Sequence, residues 1–89
     1  MNTYLVSYDL VAPQMDYSDL YKRIKAYPYW ARVLESVWVV KTSTSSKKIR
    51  DNLNMAIDNH DKLYIAKLSG EAAWININSN VSGWLEENL

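Results

Sequence analysis

The chain opens on an alternation. In Thr3-Tyr4-Leu5-Val6-Ser7-Tyr8-Asp9-Leu10, Tyr4, Val6 and Tyr8 share one side of an extended backbone, and Leu5 and Ser7 share the other. The pattern predicts a central strand ending near Asp9. Val11 to Gln14 reads as a connector, because proline and the residue before it resist helix. The period then changes from two to three-and-four. Tyr17, Leu20, Tyr21, Ile24 and Tyr27 form one helical face, and Lys22, Arg23 and Lys25 fall toward the other. Asp16 is placed as the N-cap, Asp19 adds acidic charge at the positive helix end, and Pro28 stops the helix.

Ala31 to Thr42 is strand material that is long for one straight strand, so a turn or bulge is expected near Glu35-Ser36. The polar run Thr42 to Ser46 offers N-caps for a second amphipathic helix carrying Ile49, Leu53, Ala56 and Ile57. Asp58 to Asp61 closes it. Leu63 to Leu68 predicts another strand, Ser69-Gly70 a turn, and Trp74 to Ile77 a short edge strand. Val81, Trp84, Leu85 and Leu89 have helical spacing, with Ser79 or Asn80 as cap, and Gly83 weakens that helix. The order strand, helix, strand, strand, helix, strand is that of an α+β, ferredoxin-like βαββαβ domain. Such a domain has an antiparallel sheet with both helices on one face. Here the expected core is 3–68, and a C-terminal extension, 69–89, adds a short strand and a helix. The 89 residues suffice for one domain.

Composition changes this picture in three ways. Cysteine is absent, so neither a disulfide nor a thiolate metal site can staple a small core, and pairing with a second copy is one remedy. The aromatic residues are seven Tyr and four Trp with no Phe, rings that suit interfaces and base-stacking surfaces as well as cores. Net charge is zero but polarised. Residues 1–50 carry +4 and residues 51–89 carry −4, which permits a basic face without making the protein a polycation. No apolar run approaches a membrane span, and the start Met-Asn-Thr-Tyr lacks the features of a signal peptide. The expectation is a cytoplasmic protein with no membrane partner.

Three segments, in order, carry a resemblance. Tyr4 to Leu10 resembles the first strand of the CRISPR-associated Cas-two-like family, which ends in an aromatic-Asp pair. Ser36-Val37-Trp38-Val39 resembles its Ser-Val-aromatic segment, and Asp58 to Leu68 its last core strand. The likeness spans roughly 3–68, and the Trp-rich tail is more like solitary, CRISPR-independent relatives. The virulence-associated protein D toxins, ribonucleases of similar fold, are a second point of comparison. The resemblance implies a ferredoxin-like homodimer in which the aspartate ending the first strand, here Asp9, faces its mate. There the pair holds a divalent ion, Mg²⁺, for phosphodiester cleavage. The family also contains non-catalytic scaffolds that bind DNA and a protein partner. The connector Val11 to Asp16 departs from the family pattern in having no Lys or Arg.

Asp9 is thus a candidate catalytic residue and metal ligand; the alternative is a strand-end cap bonded to nearby backbone amides. Lys22, Arg23, Lys25, Arg32, Lys47, Lys48 and Arg50 are candidates for binding nucleic-acid phosphate, as one stripe along the outer sides of the two helices, or else a solvated helix surface. Tyr29-Trp30 is a candidate stacking platform or partner contact. Ser36 either positions a phosphate or satisfies a bend. His60, the only histidine, is a general acid–base candidate or a solvated turn residue. With Gly70 and Gly83 the only glycines, a phosphate-binding loop of the P-loop kind is excluded. Three functions follow: a homodimeric, nucleic-acid-associated protein acting as a metal-dependent endoribonuclease; a non-enzymatic homodimeric module for a protein partner or small nucleotide ligand; or a toxin of the virulence-associated protein D kind.

Overall fold

The computed structural model describes residues 1–12 and 15–89; Pro13 and Gln14 of the expected connector lie outside the described residues. The chain runs β1 (Asn2–Asp9), α1 (Ser18–Lys25), β2 (Tyr29–Leu34), β3 (Val37–Thr42), α2 (Ser46–Asn54), β4 (Lys62–Lys67) and α3 (Ser79–Asn88). The strands form one antiparallel sheet in the order β2-β3-β1-β4. β1 lies centrally, between β3 and β4.

The register divides the sheet into two faces. Tyr4, Val6 and Tyr8 of β1 align with Val40, Trp38 and the Leu63–Ile65 stretch on their two flanks. This face is buried under Leu20 and Ile24 of α1 and Ile49 and Leu53 of α2. Both helices therefore cover one face and enclose the main core. Leu5 aligns with Val39 and Ala66, and Ala31 with Val39, on the opposite face. Val39, Ala31 and Leu85 of α3 are buried there, and the Thr3 hydroxyl donates to the Asn88 carbonyl at 3.1 Å. α3 runs from β2 toward the start of β1, leaving Tyr64 65% and Leu34 56% exposed.

The strand break falls at Glu35-Ser36, where a turn joins β2 to β3, and a bulge between Arg32 and Leu34 shifts the register before it. Ser45 caps α2, its hydroxyl accepting from the Lys48 amide at 3.2 Å. Three local expectations are corrected. Tyr17, not Asp16, occupies the N-cap of α1; the Asp16 carboxylate instead accepts from the Ser18 amide at 2.9 Å, one step outside the cap. Asn78, ahead of Ser79 and Asn80, caps α3 through the Val81 amide. Trp74 to Ile77 is not a strand. Asn76 sits at φ 60°, which breaks an extended run, and the Trp74 indole donates to the Ser82 hydroxyl at 3.0 Å, tying the segment to α3.

Candidate functional site

Asp9 stands at the exit of β1, on the sheet face turned away from α1 and α2, and is exposed. Its backbone partner across the ladder is Lys62. Among the described residues the ion pairs are Arg23–Asp19, Arg50–Asp51 and, when the imidazole is protonated, His60–Asp58, so the Asp9 carboxylate is in none of them. Nor does it accept a hydrogen bond from a described residue. It opens into a shallow depression lined by Ser7, Tyr8, Lys62, Leu63 and Tyr64. No group of three metal-ligating side chains gathers anywhere among the described residues.

The segments around Asp9 are held by a different carboxylate. Asp61 accepts from the Val11 amide at 2.7 Å, the Tyr17 hydroxyl at 2.6 Å and the Asp58 amide at 2.8 Å. Burial pushes its carboxyl up, but these three donors prevail and hold it below its ordinary value. In turn burial, then the hydrogen bond to Asp61, raises the Tyr17 hydroxyl. This clamp ties the chain leaving β1 to the turn entering β4.

The seven basic candidates do not form one stripe. α1 lies toward β2 and α2 toward β4, so their charges part to opposite margins of the sheet. Toward β4, Lys47 and Arg50 border a groove with Leu63, Tyr64 and Ile65, and Arg50 pairs with Asp51 at 2.9 Å. Lys48 is exposed on the same helix. Arg23 serves the fold: it reaches Asp19 at 3.0 Å and the Asn52 side-chain oxygen at 2.9 Å, joining α1 to α2. Lys22, Lys25 and Arg32 lie at the β2 margin among aromatic rings.

That aromatic cluster was not anticipated. The Trp38 indole donates to the Tyr8 hydroxyl at 2.8 Å and stacks on Tyr21, with ring centres 6.0 Å apart and planes at 25°. The Arg32 guanidinium lies 4.8 Å from the Tyr21 ring centre and 5.1 Å from that of Trp38. Its Nε and Nη2 both donate to the Glu35 carbonyl, at 3.1 and 2.7 Å. Burial raises the Tyr8 hydroxyl, against the lowering effects of the Trp38 donor and the Arg32 charge. Trp30 lies 5.7 Å from Trp38, with the Lys25 ammonium 5.4 Å from its centre. The signal available in the sequence was the i, i+2 spacing of Trp30 and Arg32, which puts both on one face of a strand.

The remaining candidates take ordinary places. Ser36 is exposed in the β2–β3 turn, where its carbonyl accepts from the Tyr8 amide at 3.2 Å. His60 is 86% exposed in its turn, 3.5 Å from Asp58. Among the described residues no helix is long and apolar enough to cross a membrane. No family model, curated protein or solved structure matches the chain.

Proposed function

We propose that this chain is a cytoplasmic, homodimeric, nucleic-acid-associated protein of ferredoxin-like βαββαβ type, related to the Cas-two-like proteins, and a metal-dependent endoribonuclease. One observation carries the reading: Asp9 ends the central strand with its carboxylate uncommitted to any described residue, on the face that α3 leaves partly bare. Mg²⁺ keeps several waters and is commonly held by one or two carboxylates together with substrate phosphate. A single Asp9 offers one carboxylate, and a second copy would bring the other. Bound there, the ion would supply Lewis-acid activation of water and charge neutralisation at the phosphodiester. The chain's own contributions are the Asp9 oxygens, the Lys62 cation opposite, and the Asp61 clamp that fixes the segments on either side.

The exposed Leu34 and Tyr64 on the same face give a second copy an apolar surface to cover. Light scattering on the eluting protein, with cleavage of labelled RNA with and without Mg²⁺, tests both halves. The expected result is a dimer that cleaves only with the metal, and an Asp9→Asn variant that remains a dimer without cleaving. A monomer at micromolar concentration, or equal cleavage by the variant, refutes the shared-carboxylate site. The zero net charge and the connector without Lys or Arg favour a second reading, a non-enzymatic homodimeric module for a protein or small nucleotide. It predicts a dimer with no cleavage under any divalent ion.

A further inference from the structure

The β2 margin combines an exposed ring with cations that have no carboxylate partner. β2 is an edge strand, and Trp30 on it is 37% exposed although its ring rests on Trp38. The Lys25 ammonium lies 5.4 Å from the Trp30 ring centre, Arg32 stands two residues along the same strand, and Lys22 lines a depression on α1 together with Lys25; none of the three is in an ion pair with a described residue. Arg32 spends Nε and Nη2 on the Glu35 carbonyl, and Nη1 has no hydrogen-bond partner among the described residues. A cleft of about 500 Å³ runs beside Trp30's neighbours on α1, lined by Ser18, Tyr21, Lys22, Lys25 and Ala26. Arg32 also has a structural task, packing its guanidinium against both Tyr21 and Trp38. Core packing accounts for neither the exposure of Trp30 nor the unpaired Lys25 ammonium over its ring.

We propose that Trp30, with Lys22, Lys25 and Arg32, is a binding platform for single-stranded nucleic acid, one base stacking on the indole and the flanking phosphates meeting the three cations. The proposal rests on the nucleic-acid reading above but not on Asp9. Stacking needs the face of a base, which a single strand offers and a duplex hides. Lys25 covers the ring through a cation–π contact that is weak at an exposed site. Its flexible stem lets a base take that place while the ammonium turns to a phosphate. An acidic peptide would use the cations but has no need of the indole between them.

The test uses the full-length Asp9→Asn protein in EDTA, so that cleavage does not enter. Fluorescence anisotropy follows the binding of labelled ten-residue single-stranded RNA and DNA, the matching duplexes, and a decaglutamate peptide, each across a salt series. Single strands should bind and duplexes should bind more weakly. Three phosphate contacts give a slope of log affinity on log salt of about −2. Trp30→Ala should lower affinity about tenfold or more with the slope unchanged, and Trp30→Phe should recover most of it. Lys22→Gln with Lys25→Gln should flatten the slope by about 1.4. Circular dichroism melts confirm that each variant is folded. Oligonucleotide binding indifferent to both sets of variants overturns the platform and leaves the nucleic-acid reading standing. Binding of decaglutamate as tight as that of RNA, equally indifferent to Trp30, overturns the platform in favour of an acidic polymer. No oligonucleotide binding at low salt overturns both readings.

Discussion

Asp61 is the residue on which the geometry around β1 most visibly depends. Its two oxygens accept from the Val11 amide, the Tyr17 hydroxyl and the Asp58 amide, joining segments 50 residues apart in sequence. Asp61→Asn keeps the shape but has one acceptor oxygen, and its amide nitrogen must face at least one N–H donor. Three hydrogen bonds to a buried charge would total several kcal/mol. Here solvent reaches the clamp, so the expected loss at pH 7 is about 1–2 kcal/mol. In a domain of this size each kcal/mol lowers Tm by roughly 4–8 °C. The pH dependence gives a sharper check. The Asp61 carboxyl is held below its ordinary value by the donors that bind it. Its contribution is therefore complete above the unfolded-state pKa and is lost as pH falls through the lower folded-state value. Urea melts of both proteins from pH 7 downward should show a gap that narrows below about pH 4, the range of an unfolded aspartate. No gap at pH 7, or a gap that persists undiminished into acid, would refute the reasoning.

Four further substitutions separate backbone from side-chain effects. Gly83 is inside α3, and a Cβ there meets nothing within 4 Å, so Gly83→Ala should stabilise the fold by up to about 1 kcal/mol, read as a Tm rise of several degrees. Gly70→Ala should destabilise by about 1 kcal/mol although its nearest neighbour is 3.9 Å away, because φ there is +99°. Arg23→Gln should cost stability in a urea melt, since it breaks the link from α1 to Asn52, while leaving the salt dependence of any oligonucleotide binding unchanged. Lys22→Gln should show the opposite pair of results.

What was legible in the sequence is what local periodicity controls. The Tyr4-Val6-Tyr8 alternation located the central strand, and the spacing of Leu20 and Ile24, and of Ile49 and Leu53, located the two helices over it. Glu35-Ser36 was readable as a turn because the apolar run was too long for one strand. Trp74 to Ile77 misled for a tertiary reason. Its composition suits a strand, but the indole found Ser82 on α3, and Asn76 took a left-handed backbone. The candidate site divides along the same line. Asp9 could be picked from its place at a strand end, whereas the splitting of the basic residues depends on which margin each helix occupies. That follows from sheet order, which no local pattern encodes. Arg23 shows the same limit, since nothing in a run of Lys22, Arg23 and Lys25 marks the one residue that reaches Asn52 on another helix.

The two proposed chemistries lie apart on the sheet, and this has a consequence. Trp30 and Arg32 belong to the face that α1 covers, while Asp9 belongs to the other, and β3 separates β2 from β1. Adjacent strands are about 4.8 Å apart, so the offset across the sheet alone is about 10 Å, before the change of face. A strand stacked on Trp30 must therefore pass round an edge to reach Asp9 in the same chain, or reach an Asp9 pair formed with a second copy. Neither route asks the indole to touch the scissile phosphate. Platform variants should then act on how much substrate is bound, raising KM with kcat retained. Asp9→Asn should abolish kcat and leave the affinity for a single strand in EDTA intact. If Trp30→Ala instead lowered kcat at saturating substrate as far as it lowered kcat/KM, the indole would be acting at the reacting centre, and the separation of the two sites across the sheet would be wrong.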